Sequence, residues 1–389
     1  LPRLFGFELL MAPYAVAHFK LSLQLAGRDL PEALRDRWAY TPEAGERLGV
    51  YLTNTLEEPH EMSGLPLFTQ WVADESNAAN EVKTELPVLV VMGNPPYSYE
   101  SKNNGEWISN LIQDYYQVDG GPLSERNPKG LQDDYVKFMR FAQWRIDQTG
   151  EGILAFITNH GYLANPTFRG MRQSLLSSFD DLYILDLHGS TKKGESAADG
   201  AKDENVFDIL PGVAIALFVK TSKAVNNGFA RVWHAEFFGN RQVKYERLGN
   251  QQLDSTQWAE LRPKYPYYLF IPVDSLGEFE YLEGWKLTEI FPINSIGIST
   301  SRDKLAVRLT AGEMLQTVKD FAALSVDDAR GKYDLGADTL DWKVSLAQDD
   351  LRQSHCSAER IHPLLYRVFD TRYTYYTGRS RGFLSRPRP

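Results

Sequence analysis

The 389-residue chain has little of what marks a secreted, zinc-binding or membrane protein. Cys356 is its single cysteine, which excludes an internal disulfide framework or a cysteine-based zinc cluster and suits a reducing cytoplasm. No apolar run approaches the ~20 residues needed to span a bilayer, so no membrane partner is expected. The seven histidines are scattered and contain no His-x-x-x-His pair, and the sequence therefore predicts no metal site.

The two ends of the chain lack the features of natural termini. The chain starts at Leu1 without a methionine and without the charged-then-apolar pattern of a signal peptide. It stops at Pro389 after a short run of alternating arginine and proline. We therefore expect both ends to be cuts within a longer protein.

Positive charge is scarce overall, since the net charge is −9, and that value does not favour a nucleic-acid binder. Between Tyr366 and Pro389, however, six arginines face one aspartate, a local charge of +5, and six aromatic side chains are interleaved with them. The arginines are Arg367, Arg372, Arg379, Arg381, Arg386 and Arg388. Such a segment can clamp phosphates and stack on bases. Equally, it can be a buried aromatic segment whose arginines are solvated or paired.

The remaining composition predicts a folded α/β protein. Apolar side chains make up 43% of the chain, and its length suits two domains. Strand and helix patterns alternate from Leu4 to Leu187, which predicts a mostly parallel, doubly wound sheet. Strands at 205–209 and 213–219 are predicted to close this sheet as an antiparallel hairpin. Beyond residue 228 the segments become short and aromatic, which indicates a second domain.

The most informative motif is Asn94-Pro95-Pro96-Tyr97, which follows Gly93 and the apolar run 86–92. The run predicts a buried strand, and two prolines must end it abruptly because proline fixes φ and donates no ladder hydrogen bond. This stiff turn would hold the Asn94 amide and the Pro95 carbonyl side by side at a strand's carboxyl end, where open α/β sheets bind ligands. Two acceptors beside an aromatic ring suit a planar amino group. The alternative is a plain strand-exit turn with an exposed Tyr97.

With this motif the sequence resembles amino-methyltransferases that use S-adenosylmethionine, and more closely the N6-adenine DNA methyltransferases of the gamma motif order. Further segments resemble the methyltransferase and target-recognition region of type ISP single-chain restriction-modification enzymes. These segments are Asp186-Leu187-His188-Gly189, Asp203 to Ile209, Gly212 to Ile215, and Gly284 to Asp303. The resemblance implies a Rossmann-like methyltransferase sheet, an α+β recognition domain, S-adenosylmethionine as cofactor and double-stranded DNA as partner.

The resemblance also implies roles for single residues. Asn94, Pro95, Pro96 and Tyr97 would be catalytic, with Tyr97 and Phe207 stacking on the two faces of a flipped-out adenine. Glu8, at the end of a predicted strand, would bind the cofactor ribose, and Asn54 would border its adenine. Arg367, Arg372, Arg379 and Arg381 would contact DNA. Phe207 on a strand is more commonly a core residue, and Asn54 is equally consistent with a turn.

The domain prediction follows from the same resemblance. Residues 1–225 would form the catalytic domain, 226–280 a connecting segment, and 281–389 the start of the recognition domain. The family's glycine-rich cofactor loop lies upstream of the acid that Glu8 matches, so we expect this chain alone to bind cofactor weakly or not at all. The resemblance further implies covalently linked helicase or nuclease domains in the full-length protein.

Two other functions stay open. A glutamine-amide protein methyltransferase shares the Asn-Pro-Pro-Tyr motif, although it predicts a chain that ends soon after Phe207. A DNA-recognition module without activity of its own is the second alternative, from a different class.

Overall fold

A computed structural model of the chain forms two compact units, Leu1–Asp274 and Ser275–Pro389. It describes residues 3–40, 46–58, 70–98, 101–125, 128–191, 203–221, 228–274, 277, 280–281, 283–293 and 297–387. Within these ranges no helix is both long and apolar enough to cross a bilayer.

The first unit contains seven α-helices and ten strands within the described ranges, besides short 3-10 helices. Its helices are α1 (Met11–Leu25), α2 (Glu32–Trp38), α3 (Gln70–Thr84), α4 (Glu106–Leu111), α5 (Asp134–Thr149), α6 (Arg169–Ser178) and α7 (Arg241–Asn250). Its strands are β1 (Phe5–Glu8), β2 (Gly49–Leu52), β3 (Val90–Gly93), β4 (Gln117–Val118), β5 (Gly121–Pro122), β6 (Gly152–Asn159), β7 (Asp181–Asp186), β8 (Val213–Lys220), β9 (Arg231–Glu236) and β10 (Ala259–Leu261).

The second unit is smaller and consists of helices and one hairpin in its described residues. Its helices are α8 (Leu287–Ile290), α9 (Asp303–Ala306), α10 (Ala311–Ala323), α11 (Val326–Lys332) and α12 (Val344–Gln353), and its strands are β11 (Ile361–Arg367) and β12 (Asp370–Tyr375). Trp342 is fully buried among apolar residues of α10, α12 and β12. This unit therefore has a core of its own.

The central sheet of the first unit has six strands in the order β10-β9-β7-β8-β6-β3. β3 pairs with β6 in parallel and β7 pairs with β9 in parallel, while β8 runs antiparallel between β6 and β7. Helices α5 and α6 bury their apolar stripes in the core beneath this sheet. The predicted mixed α/β fold with a mainly parallel central sheet is confirmed.

β1 and β2 form a separate, parallel, two-stranded sheet. The pairing places Glu8 opposite Leu52, and the backbone N–H of Thr53 continues the ladder to the carbonyl of Glu8 at 2.8 Å. The carboxyl ends of the two strands therefore lie at one edge.

The strand before the Asn-Pro-Pro-Tyr motif is not buried as predicted. β3 is an edge strand that pairs only with β6 among the described residues, and the side chains of Val90 and Met92 are 53% and 76% exposed. An apolar run by itself cannot distinguish a central strand from an edge strand, because exposure depends on whether a second neighbour covers it.

The predicted hairpin is also corrected. Residues 205–209 form no strand, with bends at 206–210, and β8 pairs instead with β6 and β7. The cause is the Asn205 side chain, whose amide donates to the carbonyls of Gly189 at 3.2 Å and Pro211 at 2.7 Å and whose oxygen accepts from the N–H of Phe207 at 2.9 Å. These bonds fold the segment into a compact turn and compete with strand pairing.

Residues 226–280, expected to connect two domains, contribute β9 and β10 to the central sheet. Tyr268 and Phe270 are also buried in the core of the first unit. The first unit consequently extends to Asp274, because the parallel pairing of β9 with β7 makes this segment part of the sheet.

Gly170 offers a test of how closely α6 packs against the backbone of residues 115–117. A Cβ at this position in α6 would clash with the carbonyl oxygens of Tyr115 and Gln117, whereas a Cβ at Gly249 in α7 would meet nothing within 4 Å. We expect Gly170→Ala to lower the free energy of unfolding by about 1–3 kcal/mol. Gly249→Ala should leave it unchanged or raise it by up to about 1 kcal/mol. Equal urea midpoints for the two variants would contradict this packing.

Candidate functional site

The Asn-Pro-Pro-Tyr motif begins directly after β3 ends at Gly93. Asn94 and Pro96 are exposed, whereas Pro95 is buried and Tyr97 is partly buried. The motif thus leaves the sheet at the carboxyl end of a strand, with the Asn94 amide open to solvent.

Tyr97 links the motif to the neighbouring strand. Its hydroxyl lies 3.3 Å from Oδ1 of Asn94 and 3.3 Å from the carbonyl of Ile157 in β6. Its ring meets that of Tyr135 edge to face, with centroids 6.1 Å apart. Burial, reinforced by the nearby Asp133 carboxylate, raises the pKa of Tyr97 to about 12. The hydroxyl therefore stays protonated and can orient the Asn94 amide.

The loop after the motif is fixed from below by α5. The buried ammonium of Lys137 donates to Oγ of Ser101 at 3.0 Å and to the carbonyl of Asn103 at 2.5 Å. Oδ1 of Asp134 accepts from Ser101 at 2.6 Å and from the Asn103 amide at 2.9 Å. Burial lowers the pKa of Lys137. Polar groups held this closely at both ends define one loop conformation.

Asn54 connects that loop to the end of β2. Its Nδ2 donates to Oδ1 of Asn103 at 3.0 Å, and its Oδ1 accepts from the N–H of Leu56 at 3.0 Å. Lys83 supports the same turn by donating to the Asn54 carbonyl at 2.8 Å, and burial lowers the pKa of Lys83 to about 8. The end of β2 and the loop after Asn94 therefore lie side by side.

Glu8 ends the strand paired with β2, so the structure brings it to the same edge as Asn54. Its side chain is partly buried, and its carboxylate has no hydrogen-bond partner in the described part of the chain. An acid free to accept at a strand's carboxyl end fits a ribose hydroxyl pair. The Asn54 side chain has less hydrogen-bonding capacity left, because only one lone pair of its amide oxygen remains for a ligand.

Phe207 lies on the turn that replaces the predicted hairpin. Its partly buried ring packs in the apolar cluster that also contains Ile157, whose carbonyl faces the Tyr97 hydroxyl. Phe207 and the strand that Tyr97 contacts thus share one apolar cluster. This connection comes from tertiary packing, since Tyr97 and Phe207 are 110 positions apart along the chain.

A buried ion pair holds the segment that carries Phe207. Nζ of Lys244 lies 2.9 Å from the Asp203 carboxylate, and both side chains are fully inaccessible to solvent. The same ammonium donates to the carbonyls of Leu187 at 2.7 Å and Glu204 at 2.6 Å. No local sequence pattern indicates this pair, since the two residues are 41 positions apart.

Two histidines and an aspartate, of which His188 is only partly buried, form a second polar cluster at the ends of β6 and β7. Nδ1 of His160 lies 3.0 Å from Oδ1 of Asp186, and Nδ1 of His188 lies 3.7 Å from Oδ2. Burial alone would raise the pKa of Asp186, but the hydrogen bond from His160 and the two imidazoles hold it below its usual range. Each of these three side chains offers one atom that could bind a metal ion, and the three atoms lie within 4.8 Å of one another. The sequence contains no His-x-x-x-His pair to indicate this grouping, because tertiary packing brings His160 to Asp186 and His188.

The four predicted DNA-contacting arginines do not form a single cluster. The guanidinium groups of Arg367 and Arg372 both lie over the ring of Tyr366, at 5.7 Å and 4.3 Å. Arg379 instead donates to Gln353 at the end of α12, at 2.7 Å, and Arg381 lies in the following loop with a φ of 58°. Arg388 lies outside the described residues. The arginines therefore extend over the hairpin and the loop beyond it.

The second unit is similar to a class of protein domain, the specificity domains of restriction-modification enzymes. Residues 289–389 match the family model of the Type ISP C-terminal specificity domain. No curated protein sequence matches the chain. The resemblance to the methyltransferase and target-recognition region of type ISP enzymes is confirmed by this match and by the solved structures that follow.

Solved structures of two Type ISP restriction-modification enzymes and of a DrdV–DNA complex share the fold. The chain is similar to the ATP-dependent Type ISP enzyme LlaBIII bound to DNA, with a TM-score of 0.64 and 22% identity over 96% of this chain and 25% of that one. A nuclease-deletion mutant of the Type ISP enzyme LlaGI with a DNA substrate mimic gives 0.62 and 20% over 96% and 36%. A DrdV–DNA complex gives 0.60 and 23% over 96% and 37%. The chain therefore spans less than two fifths of each.

The buried pair under Phe207 leads to a stability prediction. Lys244→Met leaves the Asp203 carboxylate buried without its cation, and we expect the free energy of unfolding to fall by about 3–5 kcal/mol. The double variant Lys244→Met with Asp203→Leu removes both charges and should recover much of that loss. Urea denaturation measures both, and a double variant no more stable than the single one would contradict the electrostatic cause.

Proposed function

We propose that this chain is the catalytic and recognition part of an N6-adenine DNA methyltransferase of a restriction-modification system. One observation carries the proposal: the exposed Asn94 amide stands at a strand's carboxyl end, beside Pro95 and within reach of the Tyr97 hydroxyl. This arrangement offers two oxygen acceptors and an aromatic ring to one planar amine.

The chemistry follows from the amine. The lone pair of an exocyclic adenine nitrogen is delocalised into the ring, so the nitrogen is a poor nucleophile. Hydrogen bonds from its two N–H groups to Oδ1 of Asn94 and the carbonyl of Pro95 would shift it toward sp³ geometry and localise that pair. One lone pair of Oδ1 remains beside the contact with Tyr97. Positioning and electrostatic stabilisation then contribute more than acid–base catalysis.

The target adenine lies inside a duplex and must be flipped out before it reaches Asn94. Tyr97 and Phe207 would hold the extruded base between their rings. This assignment is supported by the packing of Phe207 in the same apolar cluster as Ile157, whose carbonyl accepts from the Tyr97 hydroxyl.

S-adenosylmethionine would supply an electrophilic methyl group on its sulfonium. The Glu8 carboxylate, free within the described residues, would accept hydrogen bonds from the ribose, and the remaining Oδ1 lone pair of Asn54 would face the adenine amine. The bond from Asn54 to Asn103 joins this cofactor edge to the loop that follows the target motif.

Double-stranded DNA is the proposed partner of the second unit. The match of residues 289–389 to a specificity domain and the DNA in the similar structures support this proposal. Arg367, Arg372, Arg379 and Arg381 would bind phosphates along the hairpin and its following loop. Residues 281–389 would thus form an α+β recognition domain, with helicase or nuclease domains attached in a longer cytoplasmic protein.

The specificity-domain match also supports the alternative of a recognition module without its own activity. Labelled S-adenosylmethionine distinguishes the two. It is mixed with duplex DNA, and with protein as control, in a longer chain that includes the glycine-rich loop predicted upstream of Glu8. Label in DNA adenine supports the methyltransferase, duplex binding without label supports the module, and label in protein glutamine overturns both.

In the same longer chain, Asn94→Ala should lower the rate of methyl transfer at least about 100-fold, because it removes an acceptor that acts in the transition state. Asn94→Asp is the matched control, since its carboxylate retains an oxygen acceptor, and it should keep measurable activity. Single-turnover kinetics measure both rates. Equal loss in the two variants would contradict an acceptor role.

Two variants of Tyr97 distinguish its proposed stacking on the target base from its orientation of the Asn94 amide. Tyr97→Phe keeps the ring and loses the hydroxyl that contacts Asn94, so we expect it to bind target DNA normally while transferring methyl more slowly. Tyr97→Ala loses the ring as well and should weaken base extrusion. The fluorescence of 2-aminopurine at the target position reports extrusion. Normal extrusion by Tyr97→Ala would remove Tyr97 from the stacking role.

A further inference from the structure

The tip of the β11–β12 hairpin, Val368 and Phe369, is apolar and faces solvent. Val368 is 78% exposed, Phe369 is 101% exposed, and the nearby Leu365 is 68% exposed. The core of the second unit takes residues from the opposite end of the hairpin, notably Tyr375. The tip therefore contributes nothing to the core of this unit.

The backbone at the tip is also unusual for the residue it carries. Phe369 has a φ of +64°, in the left-handed region where asparagine and glycine are favoured in two-residue hairpin turns. A bulky side chain in that conformation is strained, and a fully solvated ring gives no packing in return. Residues kept under strain without a structural benefit occur preferentially at functional sites.

Cationic side chains flank the apolar tip. Arg367 precedes it and has no ion pair in the part of the chain that the structure describes. Arg372 follows it and lies 4.3 Å above the Tyr366 ring, although Asp370 pairs with it at 2.8 Å. The hairpin tip thus combines an apolar point with guanidinium groups on both strands.

We propose that Val368 and Phe369 form an apolar wedge that enters the base stack of duplex DNA, while Arg367 and Arg372 bind the phosphates beside it. This inference rests on the proposed function, because it specifies how the second unit contacts DNA. Apolar wedges next to basic residues are a known way for proteins to unstack a base step and bend the duplex. A partner that is itself an apolar protein surface would leave the Arg367 guanidinium at the contact without an anionic partner, since Asp370 pairs only with Arg372 among the described residues.

The inference predicts different losses for ring and charge. Phe369→Ala should weaken binding to a mixed-sequence duplex about tenfold or more, the scale of losing one base-stacking contact. It should leave the dependence of affinity on salt unchanged, because no phosphate contact is lost. Arg367→Ala should instead reduce the salt slope by about one. Fluorescence anisotropy with the full 389-residue chain, between about 50 and 200 mM salt, measures both quantities.

Matched variants exclude a folding effect. Phe369→Gly suits the positive φ and should lose as much affinity as Phe369→Ala, while Phe369→Trp should keep near wild-type affinity. Leu340→Ala removes an equally solvated side chain, 88% exposed, from the loop between α11 and α12 and should change nothing. Thermal unfolding checks that all variants are folded.

The outcomes separate the wedge from the proposed function. If Phe369→Ala binds as tightly as the wild type while Arg367→Ala binds more weakly, DNA binding stands and the wedge is overturned. This is also the result expected if another protein segment covers the tip. If the wild-type chain does not bind duplex DNA at low salt, the proposed DNA partner and the wedge are both overturned.

Discussion

The ammonium of Lys137 is buried beneath the loop that follows the Asn-Pro-Pro-Tyr motif, where three oxygens accept its hydrogen bonds. Its position determines that of Asn103, and Asn103 in turn bonds to Asn54 at the end of β2. The proposed base-binding edge and the proposed cofactor edge are thus connected through one buried cation. A charge taken out of water has to be fully bonded, so this loop has few alternative conformations.

The segment that carries Phe207 is fixed by the same physical means. Lys244 and Asp203 are inaccessible to solvent, and the segment they hold carries Phe207. The cluster of His160, Asp186 and His188 lies at the ends of β6 and β7. Three groups of largely buried polar side chains therefore support segments whose candidate site residues are themselves partly or fully exposed. Rigid support beneath an accessible site is what binding a flipped base would require.

In the second unit, an apolar core supports an exposed hairpin tip. Its core is apolar and is formed by helices and the inner end of one hairpin, whereas the outer end of that hairpin has no packing role in the unit. Its arginines are spread over the hairpin and the loop beyond it, in contacts with an aromatic ring, an aspartate and a glutamine. A net charge of −9 for the whole chain hides this local arrangement, because binding depends on where charges lie.

The sequence by itself determined the order of elements, the Asn94 to Tyr97 turn and the resemblance to type ISP enzymes. These properties are local: apolar periodicity, proline geometry and motif spacing can be read along the chain. Only the tertiary structure decided that β3 is an edge strand, that residues 205–209 form a turn, and that 231–261 join the central sheet. It also decided the grouping of Lys137 with Asn103 and of Lys244 with Asp203. Burial, register and ion pairing depend on residues distant in sequence, and no local pattern specifies which of them meet.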